Sequence, residues 1–316
     1  MRHLTRIDHD AAAELRALRR RSADALARAT VLGASVLGLD DERYPPWLAE
    51  IADPPAVLWC LGKALALRGP SVAVVGSRAA TEAGRSMARR LGRGLADAGL
   101  VVVSGLARGA DGAAHAGALE AGGTTVAVLG SGVDVIYPAE HRDLAAAILK
   151  SGAIVSELVP GARPLPAHFP LRNRIISGLS MAVVVIEAAE DSGSLITARC
   201  ALDQGRDVLA VPGSVGSGRY RGSHALIKDG ARLVETVDDI LDELGWVRPT
   251  AKGEHGNCKS LTGSDLISSL NRDEPVGVDE IAEKTGRPVS ELLAGLGTLE
   301  LQGRVGRRVG GYVRLD

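Results

Sequence analysis

The sequence predicts an α/β chain built on a doubly wound, mostly parallel sheet, followed by a smaller winged-helix domain. Three observations carry this. Six short apolar runs, Val72–Val75, Leu100–Val103, Thr125–Leu129, Ala153–Val155, Ala182–Ile186 and Val208–Val211, alternate with Ala-rich helical stretches. Almost every run ends in small hydrogen-bonding residues, and three helical patterns followed by GRVGRRVGGYVR close the chain. Nearly continuous β-branched runs separated by roughly 15–25 helical residues are what a parallel sheet buried on both faces requires.

In chain order, residues 11–31 are rich in Ala, Leu and Arg and predict a helix, which the turn-rich stretch Asp40–Pro46 follows. Residues 1–55 are thus a short N-terminal helical segment, and 56–247 form the α/β core. Residues 248–260, RPTAKGEHGNCKS, have no apolar period and read as a linker. In 261–316, helical patterns over Leu261–Leu270, Val278–Thr285 and Val289–Leu301 precede the hairpin, the order of a winged helix. Its third helix carries Glu291 and Glu300 and no Lys or Arg, which is poor for reading a major groove. A protein-contact or regulatory role suits it better, with weak DNA contact from Arg304, Arg307, Arg308 and Arg314 at the wing.

Composition narrows the function. No stretch approaches the ~20 uncharged apolar residues of a membrane span, and Met1–Asp10 carries charges where a signal peptide is apolar. A cytoplasmic protein with no membrane role is expected. Cys60, Cys200 and Cys258 form no CxxC or Cys/His cluster, so reduced thiols are expected and no metal site or cofactor. The formal net charge is −1, so any surface for a polyanion must be local. The run Arg163–Arg174 offers one, with three arginines, no acid and Phe169, the only phenylalanine of the chain.

The run ends are Gly76-Ser77-Arg78, Ser104-Gly105, Gly130-Ser131-Gly132, Ser156-Glu157 and Pro212-Gly213. In an open α/β sheet these carboxyl ends face the ligand crevice, and glycine lets a ligand approach the backbone. Three turns are candidate helix starts that could present free N–H groups to phosphate: Gly76-Ser77-Arg78, Gly109-Ala110-Asp111 and Ser192-Gly193-Ser194. A tight βα turn also needs glycine for its own sake, so each turn alone is ambiguous. The first turn places Arg78 where close pyrophosphate approach would need glycine, which disfavours a dinucleotide. Arg78 instead offers a planar fork for a phosphate or a base. Phe169 could stack a base beside Arg172, Asn173 and Arg174, or it could plug the sheet while the arginines are solvated.

The series VAVVGSRAAT (Val72–Thr81), SGLARGADGAAHAGAL (Ser104–Leu119), FPLRNRIISGLS (Phe169–Ser180), SGSLITA (Ser192–Ala198) and AVPG (Ala210–Gly213) resembles the DprA/Smf DNA-processing family. The resemblance runs in order from about Tyr44 to Leu241. It implies a Rossmann-like, non-enzymatic protein that binds single-stranded DNA, forms homodimers and loads a RecA-type recombinase during natural transformation. Carried over residue by residue, it implies strand contacts from Gly76, Ser77, Arg78, Ser104, Gly105, Arg108, Phe169, Arg172, Asn173 and Arg174, with Gly193, Ser194 and Thr197 as a phosphate cradle.

An enzymatic alternative is a phosphoribohydrolase-like protein of the related lysine-decarboxylase-like group, whose glycine-rich turn carries a catalytic glutamate. Arg199 and Cys200 stand where that carboxylate would follow Thr197. Asp111 and His115 share a helix face at i, i+4 and could mimic an acid/base pair. The plainer reading has Asp111 orienting the turn and His115 in a buried hydrogen bond. Ser104 and Ser131 lack a base evident in the sequence, and Glu187 at a strand end could fix a loop or an arginine.

Overall fold

The computed structural model describes residues 2–248 and, beyond them, 266–267, 269–272, 275–285, 292, 295–297, 299–300, 303–308 and 311–315. The chain divides into two compact units, Met1–Pro249 and Thr250–Asp316.

The first unit begins with α1 (Arg2–Leu32), β1 (Ser35–Gly38), α2 (Pro46–Ala49) and β2 (Val57–Gly62). The expected alternation follows as β3 (Ser71–Val75), α3 (Glu82–Asp97), β4 (Val101–Ser104), α4 (Ala110–Glu120), β5 (Thr125–Val128), α5 (Arg142–Ser151) and β6 (Ala153–Ser156). It continues through α6 (His168–Gly178), β7 (Ala182–Val185), α7 (Ser194–Asp203), β8 (Asp207–Ala210), α8 (Arg221–Lys228), β9 (Arg232–Leu233) and α9 (Val237–Glu243). One nine-stranded sheet results, in the order β1-β2-β6-β5-β4-β3-β7-β8-β9. It is parallel from β6 to β9, while β2 pairs antiparallel with both β1 and β6.

All six predicted runs are strands. The additional ones, β1, β2 and β9, lie towards the sheet edges and have no long apolar run with a crossover helix to announce them. Because β1 falls within residues 1–55 and pairs with β2, Ser35 opposite Cys60, the N-terminal segment shares the core sheet. Successive residues of β3 feed opposite cores, as period-two burial requires. Ala73 and Val75 pack with Ile175 and Ile176 of α6, whereas Val72 and Val74 pack with Leu91 of α3 and Ala114 of α4.

Helices α3 and α4 touch backbone to backbone. A Cβ on Gly92 would strike the Ala114 carbonyl, and one on Gly117 would strike the Arg89 carbonyl, both far inside van der Waals contact. Gly117→Ala is therefore expected to cost roughly 1–3 kcal/mol through overpacking, despite alanine's better helix propensity. Urea unfolding checks this, and an unchanged midpoint would show that the helix pair can slide apart freely.

In the second unit, the helix Val278–Thr285 and the antiparallel hairpin β10 (Val305–Arg308) and β11 (Gly311–Arg314) surround a core that includes Leu270, Ile281, Leu296 and Tyr312. The wing expected from GRVGRRVGGYVR is this hairpin. Most of the 248–260 linker and Glu291 of the third helical pattern lie outside the described residues. Among the described residues no helix is long and apolar enough to cross a membrane.

Candidate nucleic-acid interface

Strands β4, β5 and β6 follow β3 to one side of the sheet, and β7 returns to its other side. The carboxyl ends of β3 and β7 therefore form a switch point, where open α/β sheets hold ligands. A crevice of about 590 Å³ opens there, between the loop after β3 and the starts of α6 and α7.

Of the three candidate helix starts, one remains open. Gly76-Ser77-Arg78 does not begin a helix, because α3 starts at Glu82 behind Thr81, whose hydroxyl accepts from the Gly84 amide. The Ser77 amide is itself spent on the Glu187 carbonyl at 2.7 Å. Gly109 does cap α4 with φ of 75°, a backbone that glycine adopts without strain. The amides around it are satisfied internally, however: Ala110 donates to the Ser77 carbonyl, and the buried Asp111 carboxylate accepts from Gly105 and Ala107. Helix α7 differs. Its cap, Gly193, offers no side chain; the Leu195 and Ile196 amides close on the Ser192 and Gly193 carbonyls, and the first amide, on Ser194, reaches only the Ser192 hydroxyl, at 3.4 Å. The positive end of this helix meets the crevice.

The glycines sort in the same way. A side chain on Gly76 would meet Ala110, on Gly105 the Arg172 guanidinium, and on Gly130 the Phe169 ring, so each is needed for internal packing. Gly193 would meet nothing within 4 Å. Its carbonyl is taken by Asn173 and the Ile196 amide, but its Cα faces open space in the crevice lining.

Phe169, at the start of α6, is half-buried, with the Arg78 guanidinium 5.0 Å from its ring centroid and Tyr137 tilted against it at 5.6 Å. The expected stacking platform thus carries its own arginine in the free protein. Tyr137 was not singled out by sequence reasoning. Its signal was available, since it is one of only four tyrosines and ends a strand-end loop that also holds Gly130.

The arginine run divides by depth. Arg172 is buried and donates to the Gly105 and Val128 carbonyls, so it supports the crevice floor rather than projecting to solvent. Burial pulls it down to about 10, with Asp111 opposing and Arg78 adding to the effect, and it stays charged at neutral pH. Asn173 donates to the Gly193 carbonyl and ties α6 to the α7 start. Arg174 lies off the crevice, paired with Asp53 and Glu157, and Ser104 is fully buried with its hydroxyl on the Val74 carbonyl. These two residues correct the sequence expectation, because the 3.6-residue turn and the strand pleat aim them away. Arg108 and Gly105 line a small neighbouring hollow with Arg78 and Tyr137, where Arg108 pairs with Glu140. Ser77, Arg78, Ser194 and Thr197 line the crevice itself.

No acid/base pair forms between Asp111 and His115. The His115 Nδ1 lies 2.7 Å from the Thr125 hydroxyl, which donates onward to the Val102 carbonyl, so Nδ1 carries the proton. Ser131 donates to the Val135 carbonyl. Glu187 fixes a loop, accepting from the Thr81 amide and hydroxyl, with Arg219 3.7 Å away.

This arrangement has relatives. The family model of DNA recombination-mediator protein A matches residues 35–245, and that of the DprA winged helix domain matches 264–311. Protein Smf of Escherichia coli is 44% identical over 285 residues, covering 87% of this chain and 76% of its own length. A crystal structure of DprA from Streptococcus pneumoniae superposes with a TM-score of 0.64 at 46% identity, over 66% of this chain and 74% of that one. A structure described as giving the single-stranded DNA binding mode of DNA processing protein A from Helicobacter pylori superposes with a TM-score of 0.60 at 30% identity, over 67% and 95%. The chain therefore belongs to the DNA recombination-mediator protein A family, the DprA/Smf proteins.

Proposed function

We propose that the crevice binds single-stranded DNA without catalysis. One observation carries the reading: the half-buried Phe169 ring, with the exposed Arg78 and Tyr137 against it, lines the same crevice as the start of α7. A base slides onto Phe169 as Arg78 swings off the ring to a phosphate, and the next phosphate sits against Gly193, Ser194 and Thr197. Arg78 and Arg172 are matched in the lining by Asp111 and Asp191, so stacking and backbone donors supply affinity more than net charge. Gly76 and Ser77 shape the loop that presents Arg78.

In keeping with the family, the protein acts in the cytoplasm as a homodimer and delivers the strand to a RecA-type recombinase. Two linked crevices on one strand raise avidity. The DNA-processing structure from Helicobacter pylori supports the ligand class.

Titration of oligo-dT across a salt series tests the crevice. Phe169→Ala is expected to weaken binding by about 5- to 150-fold, the worth of one stacked base. Arg78→Ala should weaken it and flatten the salt slope by about 0.7, one phosphate contact. Gly193→Ala should weaken it while leaving the melting temperature intact, since the added methyl meets open space. Wild-type affinity in all three variants would end the proposal.

A further inference from the structure

Beyond the crevice, the most conspicuous unassigned surface is on α1. Toward its C-terminal end Ala25 and Ala29 are buried with Trp59 and Val133. Arg28 donates to Asp134 through Nε at 2.9 Å and Nη2 at 2.6 Å, while the other Asp134 oxygen accepts from the Gly161 amide. The helix ends in a left-handed Gly33, and the Ala34 amide closes back onto the Ala29 carbonyl. Toward its start, the residues from Ala13 to Asp24 are exposed.

Four arginines stand in that exposed stretch: Arg16, Arg19, Arg20 and Arg21. At 100° per residue, Arg16, Arg19 and Arg20 fall within about 100° of the helix circumference. Elsewhere in this unit arginines are commonly paired with acids, as Arg43 is with Asp41, Arg89 with Glu120 and Arg232 with Glu243. Among the described residues, no carboxylate pairs with Arg16, Arg19 or Arg20, and the nearby acids Glu14 and Asp24 pair with none of them. Holding three unneutralised cations on one face is mutually repulsive, and a polyanion relieves that repulsion.

The place of α1 says which polyanion. The loop on which it is seated, around Val133 and Asp134, is the one whose Gly130 abuts Phe169 and whose Tyr137 lines the crevice. Arg20 lies eight residues from Arg28, about 12 Å along the helix axis, within a few nucleotides of the anchored end.

We propose that the Arg16–Arg19–Arg20 face of α1 is a second binding surface, for the sugar–phosphate backbone of the strand as it leaves the crevice. The inference rests on the crevice reading. It adds that the binding site is longer than the crevice and that its extension is purely electrostatic. Phosphate contacts of this kind are indifferent to sequence and strongly dependent on salt.

The test uses the full chain and the triple variant Arg16→Gln, Arg19→Gln, Arg20→Gln, which keeps helix propensity and leaves the packed end of α1 untouched. Binding is measured with oligo-dT of about 6 nucleotides, enough for the crevice, and of about 30. The longer strand is expected to bind about tenfold or more weakly at low salt, with a salt slope flatter by about 2 for three lost contacts, and the shorter strand as in wild type. Unchanged binding of the longer strand, or equal losses for both lengths, would overturn the proposal. Phe169→Ala run alongside separates the two readings: if it binds both lengths as wild type, the crevice reading fails, whatever the triple variant does.

Discussion

Arg172→Met is expected to lose about 3–5 kcal/mol of folding stability, the largest loss of any single side chain at the crevice. Two mechanisms add. The carbonyls of Gly105 and Val128 lose the guanidinium that both accept from, and each buried orphan costs ~1–3 kcal/mol. The Asp111 carboxylate, 5% exposed, also loses the charge that offsets its burial. Burial already pushes the Asp111 carboxyl above the ordinary range, with Arg172 and the backbone amides of Ala107 and Gly105 holding it back. Urea unfolding of Arg172→Met, Asp111→Asn and the double variant measures the effect. The double variant should lose less than the two single losses added together, by ~1 kcal/mol or more, because Asn needs no counter-charge. Strict additivity would show that Arg172 acts only through its two carbonyls.

Acid is expected to destabilise the protein well above the usual carboxylate range, through His115. Burial, assisted by the nearby charges of His141 and Arg172, pushes this imidazole down to about 3 from its ordinary value of 6.5. Its Nε2 is buried without a partner, so a second proton placed there would find no hydrogen-bond acceptor. In the unfolded chain His115 takes up a proton near pH 6.5; in the folded chain it does not until about pH 3. The unfolded state therefore binds more protons across that window, and stability is full above pH 6.5 and falls as pH drops toward 3, by on the order of 4 kcal/mol. Asp111, with its raised carboxyl, acts in the opposite sense and offsets part of the loss. Comparing urea stability between pH 7 and 4.5 for wild type and His115→Gln isolates the histidine, since glutamine can still donate to Thr125 but cannot titrate. Parallel curves for the two proteins would rule it out.

The site was legible in part, and the divisions have physical causes. Residues whose role depends on main-chain conformation, such as the Gly109 cap and the Gly193 helix start, stood out as glycines in turns that open helices. Ser104 and Arg174 were misplaced because a neighbour in sequence is not a neighbour on a face. Ser104 follows the pleat inward to Val74, and Arg174, two residues from Arg172, is carried about 200° around α6 to Asp53 and Glu157. Tyr137 was missed because it comes from a loop 32 residues before Phe169, and only the sheet brings them to 5.6 Å.

Period and composition alone settled the parallel α/β core, its six central strands and the wing hairpin, because each follows from local patterns of burial and turn chemistry. Tertiary structure decided the rest. It showed that the three glycine-marked turns differ: Ser77 and Ala110 spend their amides on distant carbonyls, whereas the first amide of α7, on Ser194, has only a long 3.4 Å bond to the Ser192 hydroxyl. It also showed that Arg172 is a buried support while Arg78 rests on Phe169, because a charge is free or spent according to what the fold places around it.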